Sequence, residues 1–350
     1  MSRACGPLRI GIAPPLWAPI PPKTYGGVEL MVHLLTGELV RQGHQVTLFG
    51  TGDSRTPARL EAVCEQNILD FMAGTEACVY EAFANAAVAR TLARAEELDV
   101  IHFHSGMHWL PFATLVKTPC LFTIHTFASF DDRWIARNFP TVPLNGISQC
   151  QAAQIAGESG REIPVVYNGC DFSAFQPRYE PGRYLAFLGR MSYDKNPLDA
   201  IRLAQAAGMP IVLAGQAQQA KEEAYFEKEI RPLIDGERVR YIGPVNHAQK
   251  QELLRNAAAL IFPIQWEEPF GLVMIEAMAC GTPVLGHALG SVAEVVDAGI
   301  TGFYAPEIAQ MGALVPEVLA LDRRRVRQQA ESRFSCQRMV SEYVDLYRRI

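Results

Sequence analysis

Several familiar sequence devices are missing from this chain, and each absence narrows what it does. No Asp-x-Asp occurs in its 350 residues, so the usual carboxylate clip for a metal–diphosphate is lacking. There is no GxxxxGK[ST] loop, no GxGxxG after the first strand-like segment and no GxSxG elbow. That argues against a P-loop NTPase, a nicotinamide dehydrogenase and an α/β hydrolase. Basic residues are in deficit, with 32 Lys and Arg against 37 Asp and Glu and a formal net charge of −5. A general electrostatic grip on nucleic acid is therefore not expected. The eight cysteines, Cys5, Cys64, Cys78, Cys120, Cys150, Cys170, Cys280 and Cys336, form no CxxC pair and no finger-like Cys/His spacing. They read as free thiols in a reducing, cytoplasmic setting. No run approaches the ~18 apolar residues of a membrane span. The opening "MSRACGPLRIGIAPPLW" is too broken by proline to be a signal-peptide core. The basic segment "LDRRRVRQQAESR" reads as the solvated face of a helix, so membrane contact is not expected.

What is present is an apolar content of 49%, ample for sizeable cores, on a chain longer than one core usually serves. The first half alternates strand-like and helix-like segments. "LRIGIAPP", "QVTLFGTGD", "DVIHFHS", "CLFTIHT", "LNGISQ" and "PVVYNGCD" read as strands. Between the first two, Leu30, Leu34, Leu35, Leu39 and Val40 share a helical face, with Gly43 at the cap position. The pattern restarts with the strands "RYLAFLGRM", "PIVLAGQA", "RVRYIGPV", "ALIFPIQW" and "TPVLGHA", with helices between them and a further helix over "SVAEVVDAG". Nearly continuous apolar strands alternating with helices predict α/β architecture with parallel sheets. The expected division is an N-terminal domain over 1–172, a second over 173–332 and a terminal segment over 333–350. In the last of these Met339, Val340, Tyr343, Leu346 and Tyr347 fall roughly on one helical side. Open parallel sheets bind ligands at strand C-terminal ends.

The segment "WEEPFGLVMIEAMACG" carries the strongest chemical signal. It reads as strand, tight turn and helix, with the helix starting near Gly271. Free N–H groups and the dipole at such a start suit a phosphate. Glu268 stands in the turn and Glu276 within the helix. Carboxylates beside a phosphate make sense as acceptors for sugar hydroxyls, so both are expected to face a ligand rather than a core. In "LAFLGRMSYDKNP", Arg190 and Lys195 follow a strand end and supply the positive charge a departing diphosphate needs. In "PPKTYGGVEL", Tyr25, Gly26 and Gly27 precede the first long helix, where paired glycines allow close approach to a ligand. His125 follows the strand "CLFTI". His102, His104 and His108 lack acid or cysteine neighbours at ligand spacing, so a metal site is not expected. Trp17, Trp109 and Trp134 are candidates to stack on an acceptor, although such residues are more often core.

These residues resemble the family-4 glycosyltransferases, retaining nucleotide-sugar-dependent enzymes of the GT-B fold, with two Rossmann-like doubly wound domains facing a cleft. The similarity spans nearly the whole chain. Its specific part is the E-x7-E motif, Glu268 to Glu276, supported by Arg190 with Lys195, by "YGGVE", by "NGCDFSAFQP" as an interdomain segment and by "TGFYAP" as a late turn. The resemblance implies that Glu276 accepts the ribose hydroxyls of the donor and that Glu268 binds the transferred hexose near its 3-hydroxyl. Backbone N–H groups of Phe270, Gly271 and Leu272 would cap sugar hydroxyls and phosphate, and Arg190 and Lys195 would hold the diphosphate. Gly27 would approach that diphosphate from the other domain. His125 would contact the hexose near C6, and the loop around Val245 would receive the base. Tyr25 and Gly26 would belong to the acceptor side. The final helix would cross back onto the N-terminal domain. No metal or cofactor is implied. The expected donor is a UDP-hexose, glucose first, with GDP- and dTDP-sugars compatible with the same residues. The acceptor, a small molecule, glycan or natural product, is not specified by the sequence, and neither is the oligomeric state. A phosphorylase or a nucleotide-sugar epimerase on the same fold and a non-catalytic nucleotide-sugar-binding protein are the competing readings.

Overall fold

The computed structural model describes residues 6–23, 26–74 and 79–350. The chain divides into two compact units, Met1–Gly169 with Cys336–Ile350, and Cys170–Ser335. The first change-over thus falls at 169/170, against 172/173 expected from the Pro- and Gly-rich seam. The second falls at 335/336, against 332/333.

The first unit is built on a six-stranded parallel sheet. Its strands are β1 (Arg9–Ala13), β2 (Gln45–Thr51), β3 (Arg59–Cys64), β4 (Val100–Phe103), β5 (Cys120–Thr123) and β6 (Leu144–Asn145). They lie in the order β3-β2-β1-β4-β5-β6. Ile10 pairs with Val46 on one side and Val100 on the other. Every residue of β4 and β5 is buried, as expected of strands covered on both faces. Phe103 and Phe122 stack across them with centroids 4.6 Å apart. Two expectations are corrected here. The segment Arg59–Cys64 forms an edge strand absent from the strands read above, because its charged Arg59 and Glu61 concealed it from an apolar-run reading. Conversely, "PVVYNGCD" forms no strand and contributes only single bridges, Val165 with Gly146 and Cys170 with Ser335.

Helix Gly27–Arg41 follows β1. It buries Met31, Val32, Leu35 and Leu39, whereas Leu30, Leu34 and Val40 are only half-buried. The inward face is therefore rotated from the expected stripe. Leucine is abundant all round this helix, so periodicity alone did not select the side. Helix Cys336–Arg349 buries Met339, Val340, Tyr343, Leu346 and Tyr347. It is fixed within the first unit, where the Gly169 N–H donates to Met339 Sδ at 3.0 Å and Arg338 donates to the Tyr167 carbonyl at 2.6 Å.

The second unit repeats the plan with β7 (Tyr184–Leu188), β8 (Ile211–Ala214), β9 (Val239–Tyr241), β10 (Ala257–Phe262), β11 (Val284–His287) and β12 (Gly302–Ala305). Their order is β12-β11-β10-β7-β8-β9. Leu185, Phe187, Ile211, Leu213, Ala259 and Ile261 form the core on one side of this sheet. The segment "TGFYAP", read as a turn, supplies strand β12, with Gly302 opposite Val284 and Tyr304 opposite Gly286. The helix expected over "SVAEVVDAG" shrinks to the single turn Val292–Val295.

In both sheets the strand order reverses once. It does so between β1 and β4 in the first unit and between β7 and β10 in the second. Loops that leave adjacent strands at such a reversal diverge and leave a crevice between them, the usual ligand position in open α/β sheets. Cys64, Cys120, Cys150, Cys170, Cys280 and Cys336 are free thiols. Among the described residues, no helix is long and apolar enough to cross a membrane.

Candidate active site

The loop after β7 carries Arg190 and Lys195, and the loop after β10 carries Glu268. The two loops are stitched together. The Gln265 N–H donates to the Asp194 carbonyl at 2.8 Å, and Asn196 Nδ2 donates to the Pro263 carbonyl at 3.0 Å. Asn196 is buried and held at φ 56°, a left-handed conformation that asparagine tolerates better than most residues. From there its Oδ1 caps helix Pro197–Ala206 by accepting from the Asp199 N–H. Lys195 is thus the last residue before a rigid corner.

Lys195 Nζ donates to Glu268 Oε2. The same carboxylate oxygen accepts from the indole N–H of Trp266 at 2.9 Å. The ammonium also lies 4.7 Å from the centroid of the Trp266 ring and 5.8 Å from that of Phe262, within cation–π range. Behind Glu268, the Ser291 N–H donates to the Glu268 carbonyl at 2.9 Å. Gly290, at φ +59°, lies so near that a Cβ there would sit 2.3 Å from the Glu268 backbone.

Helix Leu272–Ala279 begins after Gly271, which is left-handed at φ 79° and ψ 65°, with no side-chain cap hydrogen bond. Its first amides are therefore not met by a capping side chain. Phe270 is buried and packs edge-on against Phe334, with centroids 5.9 Å apart. One turn into the helix, Glu276 accepts from Lys250 Nζ. Lys250 belongs to helix His247–Asn256, whose start is fixed by a reciprocal Asn246–Gln249 capping box. Val245 lies just before this helix, half-buried against a cluster of Ala186, Val212, Ala214, Leu253 and Ala257. The Lys250–Glu276 pair therefore ties the Val245 loop to the helix that follows Gly271.

The geometry adds burial and pairing that the sequence did not show. Glu268 and Glu276 do not stand open: they are only 7% and 8% exposed. Burial is tolerated because each carboxylate has a lysine partner. Arg190 and Lys195 are likewise each paired with a carboxylate. Arg190 is held by Glu222, whose other oxygen accepts from the Gln218 N–H at 2.7 Å, and lies 3.7 Å from Asp194. Sequence reading missed Trp266, Lys250, Asn196 and Glu222. Trp266, two residues before Glu268, was the one with a local signal.

In the first unit, Tyr25 lies outside the described residues. A Cβ on Gly26 would meet Pro22 Cβ and Glu29 Oε2, each at 2.8 Å, so the backbone there is closely packed. Gly27 opens its helix. Glu29 is buried, and burial holds its carboxyl above the usual range. His125 follows β5, half-buried, with Nε2 2.9 Å from His104 Nδ1. Burial pushes its pKa down to about 4. Trp109 is core, its indole donating to Asn85 Oδ1 at 2.9 Å. Trp134 is exposed, and Trp17, also exposed, stacks on Tyr80 at 4.0 Å. Among the described residues, no three or more His, Cys, Asp or Glu side chains are gathered as metal ligands would be.

Known proteins resemble both halves of the chain. Residues 171–333 match the family model described as glycosyl transferases group 1, and residues 25–173 match that of glycosyltransferase family 4. Together they span both units. The chain is a glycosyltransferase. This glycosyltransferase is 28% identical to a glycogen synthase of Mycobacterium tuberculosis, over 93% of its own length and 92% of the relative's. It is 27% identical to a D-inositol 3-phosphate glycosyltransferase of Kribbella flavida, over 80% and 79% respectively. The crystal structure of AviGT4, a glycosyltransferase involved in avilamycin A biosynthesis, superposes with a TM-score of 0.75 at 25% identity, over 98% of each chain. The fold is thus GT-B, with two Rossmann-like domains. These relatives favour transfer over the phosphorylase, epimerase and binding-protein readings.

Proposed function

We propose that this glycosyltransferase moves a hexose, with retention at the anomeric carbon, from a nucleotide-diphosphate sugar to an acceptor hydroxyl, without a metal or cofactor. UDP-glucose is the preferred donor. The observation that carries the reading is the lysine-paired carboxylate couple, Glu268–Lys195 and Glu276–Lys250, on either side of an uncapped helix start next to the β7/β10 reversal.

A diphosphate arriving at the amides of Phe270, Gly271 and Leu272 would draw Lys195 and Arg190 toward it. That would free oxygens of Glu268 to accept hexose hydroxyls near C3. Glu276 would take the ribose hydroxyls, and the Val245 loop the base. In the first unit, Gly27 is assigned to the diphosphate and His125 to the hexose near C6. Tyr25 and Gly26 are assigned to the acceptor. As the bond to the anomeric carbon breaks, positive charge grows on the sugar and negative charge on the diphosphate. Arg190, Lys195 and the helix start stabilise the latter. The acceptor attacks on the same face, and a diphosphate oxygen takes its proton.

The test is thermal shift against UDP-, GDP-, ADP- and dTDP-sugars with and without chelator, followed by turnover of Lys195→Ala and Glu268→Ala. Stabilisation by one base class, indifferent to chelator, with activity lost in both variants, supports the reading. Near-normal activity in both variants overturns the site. Chelator-sensitive stabilisation overturns the metal-free mechanism.

A further inference from the structure

A buried chain of polar groups in the first unit determines its own proton positions. Thr123 Oγ1 lies 2.6 Å from Asn145 Oδ1, which only accepts, so the threonine hydrogen goes there. Thr123 must then accept from its other close neighbour, His102 Nε2, at 2.6 Å. His102 therefore carries its hydrogen on Nε2. Its Nδ1 is left to accept from the Tyr347 hydroxyl at 2.7 Å. All three histidines, 102, 104 and 125, are held well below the ordinary imidazole range by burial, so each ring has one hydrogen to place.

The His102 and His104 rings lie 3.9 Å apart, and His104 Nδ1 meets His125 Nε2 at 2.9 Å. One of these two nitrogens must donate. His104 Nε2 is buried with no partner among the described residues. If His125 donated, His104 would have to carry its hydrogen on that orphaned nitrogen, and a buried N–H without an acceptor is rarer than a buried acceptor without a donor. The alternative leaves the orphan as a bare lone pair. His104 Nδ1–H then donates, His125 Nε2 accepts, and the His125 hydrogen is forced onto Nδ1, which on this half-buried residue is not among the buried atoms left without a partner.

We infer that His104 is a positioning residue that locks His125 in its Nδ1–H form. In that form His125 presents a hydrogen-bond donor to a substrate oxygen and is not a base. This rests on the assignment of His125 to the transferred hexose. A donor at that place discriminates for sugars that keep an oxygen there, because a deoxy analogue would leave a half-buried N–H unpaired.

The tautomer is read on the full chain, 15N-labelled and without substrate, by long-range proton–nitrogen correlation, with His125→Asn to assign the signals. The expected result is Nδ1–H at His125 in the wild type and in His104→Asn, whose amide keeps a donor where His104 Nδ1 stands. His104→Met, whose thioether can accept but not donate, is expected to draw the hydrogen to Nε2. It should also lower kcat/KM about tenfold, the size of one lost neutral hydrogen bond, while His104→Asn stays near wild type. Nε2–H at His125 in the wild type, or an unchanged tautomer in His104→Met, overturns the inference. The expected tautomers with unchanged kcat/KM in His104→Met would overturn the donor role of His125. The spectrum stands whether or not the donor sugar has been identified correctly, so the two failures are separable.

Discussion

Trp266 and Lys195 converge on one atom. The indole N–H and the ammonium both donate to Glu268 Oε2, and the ammonium also sits over the indole ring. The three groups form a closed unit in which each orients the other two. Glu268 is thereby oriented, and as an ionised carboxylate it can accept from a hydroxyl but offers nothing to a phosphate oxygen.

Trp266→Phe keeps most of the ring and removes the N–H. Donor turnover is expected to fall about tenfold or more, in line with one hydrogen bond to a charged group. The melting temperature should move little. Initial rates across donor concentration check this, and a variant with wild-type kcat and KM would remove Trp266 from the site.

Lys250→Ala leaves the Glu276 carboxylate buried without its counter-charge. The expected loss is about 3 kcal/mol, as for breaking one half of a buried pair. Pairing Lys250→Met with Glu276→Gln should recover much of that stability, although not donor binding. Urea unfolding of the single and double variants reads this directly, and additive losses would refute the coupling.

Gly290→Ala places a methyl 2.3 Å from the Glu268 backbone at φ +59°. Because the contact is backbone, no side chain can swing away. The loop must shift, and activity is expected to fall together with at least about 2 kcal/mol of stability. Gly299→Ala, where a Cβ meets nothing within 4 Å although φ is +77°, isolates the conformational part and should be milder.

Stability should depend on pH through the histidine chain. Unfolded His125 titrates near 6.5 and folded His125 near 4. Between these values the unfolded state binds more protons, so stability is full above about pH 6.5 and falls as the pH drops toward 4. His102 and His104, also shifted down by burial, act in the same direction. The urea midpoint should drop from pH 7 to pH 5, and His125→Asn should flatten that drop. An unchanged slope in that variant would mean that His125 is already protonated in the folded state.

Residue pattern alone carried the architecture. Continuous apolar strands such as "ALIFPI" alternating with helices leave few alternatives to parallel sheets, because both faces must be covered. It also picked out Glu268, Glu276, Arg190 and Lys195, since acids and bases at strand ends stand out against apolar surroundings. What it could not give was pairing. Lys250 is 26 residues from Glu276, and Lys195 is 73 from Glu268. No local rule links residues across such distances, and only the placement of β7 beside β10, and of helix His247–Asn256 against helix Leu272–Ala279, decides which charge meets which. Burial of the two acids, the side of helix Gly27–Arg41 that faces inward, and the proton on His125 were decided in the same way. Each depends on groups brought together by the sheet rather than by the chain.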